Sequence, residues 1–270
     1  MDHPKSTLLS VSNLGLEIRG TSILNSVSFE VRSGECLGII GPNGSGKTSL
    51  FNCLSGFHLP SAGQIIYDGR EITTLPSYLR ARLGIGRVFQ NFGIFREMTV
   101  IENIITALES REEKLLFPWS AKYREHYQRA MSYLDELGLA GAAKAKAGSL
   151  SGGQMRLLEI IRAIAFGAEL FLLDEPTAGV SPKMKGDIEQ VLGKLFDLKK
   201  TVLIIEHDMN FIYKLCDRII VLDTGKVVLD DTPGAVRGNA LLQEIYLGAN
   251  NGDAANSAPG SRSRAANTSG

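Results

Sequence analysis

A chain of 270 residues, 44% hydrophobic and 21% charged, can bury a sizeable core and has ordinary globular composition. Lysine plus arginine equals aspartate plus glutamate at 29 each, which excludes a global basic field that would draw nucleic acid or anionic lipid. No basic-then-apolar leader opens the chain and no apolar run reaches a membrane span, so a soluble cytoplasmic protein is expected.

The alternating stretches "LLSVSNLGLEI" and "ILNSVSFEV" predict half-solvated antiparallel strands joined by a polar turn near Arg19 to Ser22. "ECLGII" is a continuous apolar run, the pattern of a strand buried on both faces, and "TSLFNCLSGF" after it has helical spacing. "GQIIYDGREI" reads as a hairpin turning at Asp68-Gly69. From about Phe92 to Leu150 the character is mainly helical, with Gly138 as a stop after "AKYREHYQRAMSYLDELGL". Buried-strand patterns return in "LFLLDEP" and "TVLIIEHD", and "RIIVLDTGKVVLDD" closes with a hairpin at Thr224-Gly225. Strands alternating with helices argue for a mainly parallel α/β sheet with a helical insertion. The final "GANNGDAANSAPGSRSRAANTSG" has no large apolar residue and predicts a disordered tail. Cys36, Cys53 and Cys216 lack metal-ligand spacing and read as buried thiols.

The strongest chemical signal is Gly41-Pro42-Asn43-Gly44-Ser45-Gly46-Lys47-Thr48, followed by Ser49. It fits G-x-x-x-x-G-K-[ST] between a predicted strand and a predicted helix. Glycines let backbone amides wrap phosphates, Lys47 would bridge the β- and γ-phosphates, and the Thr48 hydroxyl would ligate Mg²⁺. "LFLLDEP" places Asp174 and Glu175 at the carboxyl end of a buried strand, where open α/β sheets bind ligands. Asp174 would hold Mg²⁺ and Glu175 would polarise an attacking water. Gln90, ending "GRVFQ", is either a boundary residue or a sensor of Mg²⁺ and the γ-phosphate. His207, ending "LIIEH", is either a core-edge histidine or a group facing the same crevice. A second glycine loop, "SLSGGQMRLLEI", puts Ser151, Gly152, Gly153 and Gln154 at the start of another helix, a second potential anion site.

The order and approximate spacing of "GPNGSGKT", Gln90, "LSGGQ", "LFLLDEP" and His207 resemble the ATP-binding-cassette ATPases, the motor subunits of ABC transporters, from about Leu8 to Gly248. The resemblance implies a P-loop fold with an N-terminal antiparallel β subdomain and a helical signature subdomain. It implies one domain over 1–248: core at 1–90 and 161–248, helical part at 91–160, tail at 249–270. It also implies a head-to-tail dimer with the same or a homologous chain, in which Ser151, Gly152 and Gly153 face the γ-phosphate held by Lys47 of the other subunit. Expected partners are transmembrane permease subunits, indirectly a solute-binding protein, and no nucleic acid, at the cytoplasmic face of the inner membrane. "NFGIFREMTVIENI" would form the permease groove, with Phe92 and Phe95 either docking aromatics or core.

"LGIGRVFQNFGIFREMTVIENI", "LLDEPTAGVSP", "IIEHDMNFI" and "IYLGAN" resemble the ATPases of branched-chain amino-acid uptake and the related urea and amide importers. "ARLGIG" and "IFREMTV" also resemble the lipopolysaccharide-export ATPase, and a soluble non-transport ABC ATPase is a further alternative. Three departures stand out: Ile18 and Arg19 where the family has an adenine-stacking aromatic, Ser181 where it has an aspartate after "DEPT", and the unusual "REEKLLFPWSAKYREHY" around Trp119.

Overall fold

The computed structural model describes residues 6–89, 93–110, 121–242 and 244–245. Gln90, Asn91, Phe92, Trp119 and the 249–270 tail lie outside the described residues.

The chain begins with β1 (Thr7–Ile18) and β2 (Thr21–Arg32), paired antiparallel and turning at Arg19-Gly20. Leu9, Val11, Leu14, Val27, Phe29 and Val31 are buried while most of their neighbours face solvent, the period-two burial that the alternating sequence predicts. β3 (Cys36–Ile40) is buried at every position and leads through the glycine loop into α1 (Lys47–Ser55). β4 (Ala62–Tyr67) and β5 (Arg70–Glu71) make the predicted hairpin, with positive φ at both Asp68 and Gly69. α2 (Ser77–Arg82) and β6 (Ile85–Val88) follow; neither has a sequence pattern of its own.

The helical region holds α3 (Val100–Glu109), α4 (Ala121–Glu136) and α5 (Gly152–Ala165). α3 starts on a reciprocal Thr99–Glu102 capping box, and α4 stops before Gly138, which has φ 65°. The chain then runs β7 (Leu170–Asp174), α6 (Pro182–Asp197), β8 (Thr201–Ile205), α7 (Met209–Leu215), β9 (Arg218–Asp223), β10 (Lys226–Asp231) and α8 (Pro233–Arg237).

Two sheets result. The antiparallel one has the order β2-β1-β4-β5; the larger has the order β10-β9-β3-β8-β7-β6 and is parallel except for β10. Successive side chains of its central strands enter different cores. Leu37, Ile39, Leu172 and Leu203 pack toward the antiparallel sheet and α1, whereas Phe171, Leu173, Val202 and Ile204 pack toward α3, α5 and α6. Burial on both faces is what turns these strands into unbroken apolar runs. The three cysteines are free and buried as expected, with Cys36 Sγ 3.8 Å from Cys216 Sγ. The crossover order puts the carboxyl ends of β3, β8 and β7 side by side, and the chemistry-bearing residues sit there.

Candidate functional site

Leaving β3, the chain turns at Gly41 with φ 149°, where a Cβ would lie 2.0 Å from the Leu222 carbonyl oxygen. Only glycine can pass this close to β9. Residues 42–46 then wrap into the first turn of α1, with Gly46 at the N-cap. The Lys47 side chain folds back over this loop and Nζ donates to the carbonyls of Gly41 (2.8 Å) and Pro42 (2.9 Å). Burial pulls its pKa down, opposed by the charges of Glu175 and Asp174. An ammonium so placed holds the loop in a ring and can exchange its carbonyl partners for phosphate oxygens. Thr48 is exposed and Ser49 half-buried on the same first turn, beside the helix amides that favour anions.

Asp174, the last residue of β7, has a side chain only 2% exposed. Its Oδ2 accepts from Arg87 Nη2 of β6 at 3.0 Å. The Arg87 Nη1 donates to Asn52 Oδ1 (2.7 Å) and Ser55 Oγ (2.8 Å) of α1, and its guanidinium carbon lies 5.0 Å from the Phe89 ring centre. Burial pushes the Asp174 carboxyl above its ordinary range while Arg87 holds it back. The other oxygen, Oδ1, is buried and has no hydrogen-bond partner among the described residues. A buried carboxylate oxygen left unpartnered at the end of β7 and an exposed threonine hydroxyl on the first turn of α1 are hard-oxygen donors of the kind that suits Mg²⁺ shared with phosphates.

Glu175 follows in the left-handed region at φ 49°, unusual for a side chain with a Cβ. Its amide donates to Ile205 O of β8 at 2.9 Å, and its Oε1 lies 3.0 Å from His207 Nε2. The structure therefore brings Lys47, Asp174, Glu175 and His207 to one crevice, and His207 is a half-exposed partner of Glu175 rather than a core histidine. Sequence reading missed Arg87 and Glu206. An arginine inside a strand otherwise apolar was a signal for the first. The second adjoins His207 and is 3% exposed, a buried acid that no sequence spacing announces.

The second glycine loop is pre-folded. Ser151 is the N-cap of α5; its Oγ accepts from Gln154 N at 3.3 Å, and its own amide donates to Gln154 Oε1 at 3.0 Å. Ser151 and Gly152 are exposed, whereas Gly153 is buried and a Cβ there would meet Met184 Cγ of α6 at 2.1 Å. Gln154 thus serves the cap.

A groove of about 430 Å³ opens behind the crevice, lined by Phe57, Tyr78, Phe89 and Phe95 together with Arg87 and Glu159. Phe95 is 47% exposed and belongs to this surface, not to the core. Glu159 of α5 accepts from the amides of Phe89 and Gly93, both at 3.0 Å, so the signature helix grips both flanks of the Gln90 segment. Arg156 donates to Phe89 O and to Glu159 Oε2. At the β1–β2 turn Ile18 is 39% exposed and Arg19 has φ 51°.

A glycine cradle and a strand-end acid pair on the parallel strands that flank β8, with a capped Ser-Gly-Gly loop on the helical side, define a P-loop cassette ATPase fold. The pattern that defines the ABC transporter family matches residues 24–178, and the chain belongs to that family. BraF of Pseudomonas aeruginosa, a high-affinity branched-chain amino-acid transport ATP-binding protein, is 39% identical over 250 residues, covering 89% of this chain and 98% of BraF. The lipopolysaccharide export ATP-binding protein LptB of Haemophilus influenzae is 34% identical over 242 residues, covering 90% and 98%. Among solved structures, the ADP form of the cassette MJ1267 superposes with a TM-score of 0.80 at 31% identity, covering 90% of this chain and 99% of that one. The dimeric cassette MJ0796 does so at 0.74 and 28% identity, covering 84% and 99%. Among the described residues no helix is long and apolar enough to cross a membrane.

Proposed function

We propose that this chain is the ATP-hydrolysing subunit of a membrane importer for branched-chain amino acids or related small polar solutes. The observation that carries the reading is the convergence of Lys47, Asp174, Glu175 and His207 at the carboxyl ends of three adjacent strands. The higher identity to BraF than to LptB favours amino-acid import over lipopolysaccharide export.

In this reading the amides of residues 41–46 and the Lys47 ammonium bind the β- and γ-phosphates of ATP. Thr48 and Asp174, with Gln90, would hold Mg²⁺, which when bound neutralises phosphate charge during phosphoryl transfer. Arg87 fixes the Asp174 carboxylate, leaving Oδ1 directed to the cation side. Glu175 accepts a proton from the attacking water, and His207 orients Glu175 and the γ-phosphate side. The exposed Ser151 and Gly152 complete the site of a second subunit, as the dimeric arrangement of MJ0796 supports. A ligand that touches both halves then favours the closed pair, and loss of its γ-phosphate removes that preference. The aromatic groove receives a helix of a permease at the inner membrane, which passes the motion to the solute supplied by a binding protein. Adenine rests on Ile18 and Arg19 in place of an aromatic ring.

Phosphate release by the purified chain, alone and with the permease of its operon, tests this. Glu175→Gln is expected to lower turnover by about 10²–10⁴-fold while ATP still binds; unchanged hydrolysis refutes the assignment. Leucine uptake by proteoliposomes that requires the intact subunit supports the amino-acid reading, and uptake without it overturns that reading.

A further inference from the structure

Glu206 follows β8 directly and is 3% exposed, a buried acid that the hydrolytic machinery described above does not use. Its Oε1 accepts from both the amide (2.7 Å) and the hydroxyl (2.6 Å) of Thr177, and its Oε2 accepts from the amide of His207 at 3.1 Å. Among the described residues three donors and no acceptor face it. Only a carboxylate offers lone pairs on both oxygens to such a set, since the amide of glutamine would turn a donor toward a donor. An acid is costly to bury and persists where its charge is used by several hydrogen bonds.

The residues it joins are the ones that flank the reacting groups. Thr177 is two positions after Glu175, and His207 is the next residue after Glu206. Glu175 itself sits in an unfavourable left-handed conformation, its backbone N–H donating a hydrogen bond to Ile205 O, one residue before Glu206. The ends of β7 and β8 are thus stitched at Glu175–Ile205 and Thr177–Glu206, while the Glu206–His207 bond fixes the turn that leaves β8. The 3.0 Å contact between Glu175 and His207 closes above these bonds. A conformation this strained stays only where its surroundings over-determine it.

We propose that Glu206 is a positioning residue for ATP hydrolysis: its carboxylate clamps Thr177 and the His207 amide, and so keeps Glu175 turned toward His207 and the attacking water. This rests on the ATPase reading of the site. Glu206 is 3% exposed and its carboxylate is engaged by Thr177 and the His207 amide, not by the glycine cradle, so its loss should reach the rate and spare the binding.

The test compares Glu206→Gln, Glu206→Ala and Glu175→Gln in the full chain, by phosphate release at saturating Mg-ATP and by ATP calorimetry. Glu206→Ala is expected to lower kcat on the order of 10²-fold, with KM and the ATP affinity within about twofold of wild type. Glu206→Gln is expected to lose about tenfold, the rate equivalent of one mismatched buried hydrogen bond. A role confined to stability would move melting temperature and ATP affinity together and leave kcat per folded molecule intact; that pattern overturns the proposal. A folded Glu206→Gln with wild-type kcat overturns it too, and this near-isosteric variant decides if Glu206→Ala does not fold. Wild-type kcat in the Glu206 variants beside an inactive Glu175→Gln removes the proposal alone. Wild-type turnover in Glu175→Gln removes the catalytic reading and the proposal with it.

Discussion

Replacing Arg87 by methionine keeps most of the side-chain volume and removes the ion pair to Asp174. Oδ2 then loses its 3.0 Å partner while Oδ1 has none among the described residues, so a carboxylate 2% exposed is left to the more distant charges of Lys47 and Arg156. Removing one member of a buried pair costs about 3–5 kcal/mol. Protonation sets a ceiling on the ionic part. An aspartate with an unfolded pKa of about 3.9 takes up a proton at pH 7 for about 4 kcal/mol, at 1.36 kcal/mol per unit. The sign follows from linkage. Burial raises this group above its unfolded value, and without Arg87 it rises further. A raised acid contributes fully below its unfolded pKa, and its contribution is lost as pH rises toward the folded pKa. The variant's deficit should therefore be small near pH 4 and grow as pH rises toward 7, below the ceiling of about 4 kcal/mol. Urea unfolding of both proteins between pH 5 and 7, without nucleotide, reads this directly. Asp174→Asn in the Arg87→Met background should recover most of the pH-dependent loss. A deficit below about 1 kcal/mol at pH 7, or one that stays flat with pH, refutes the reasoning.

Lys47→Ala removes the ammonium that spans Gly41 and Pro42 and is expected to weaken ATP binding and to slow hydrolysis on the order of 10²-fold or more; wild-type affinity by calorimetry would count against its phosphate role. Gly153→Ala forces a methyl into Met184 and is expected to destabilise the chain by about 1–3 kcal/mol, measured by thermal unfolding. Met184→Ala should relieve much of that loss, and its failure to do so would show that the two side chains do not compete for one space.

Local chemistry was the legible part of the sequence. The Asp68-Gly69 and Thr224-Gly225 turns, the cradle, and the apolar runs of β3, β7 and β8 each declare themselves within a few residues, because turn geometry, backbone access to phosphate and two-sided burial act over that range. β6 was not legible: it has four residues, two of them Gly86 and Arg87, and is a strand because it pairs with β7. Arg87 acquires its meaning from a partner 87 positions downstream, and Glu206 from Thr177 29 positions upstream. No window of neighbours contains such pairs. The direction of the His207 side chain, left open by the sequence, was settled by the parallel register that sets β8 beside β7.

The Ser151–Gln154 box has one more effect. Each of the two side chains satisfies the other's backbone amide, so in the proposed dimer the loop would meet its neighbour in its finished shape, with little freedom left to give up. A contact surface frozen in advance can be made and broken many times with little entropic toll. Such a surface suits a grip that must release at every cycle better than one built to last.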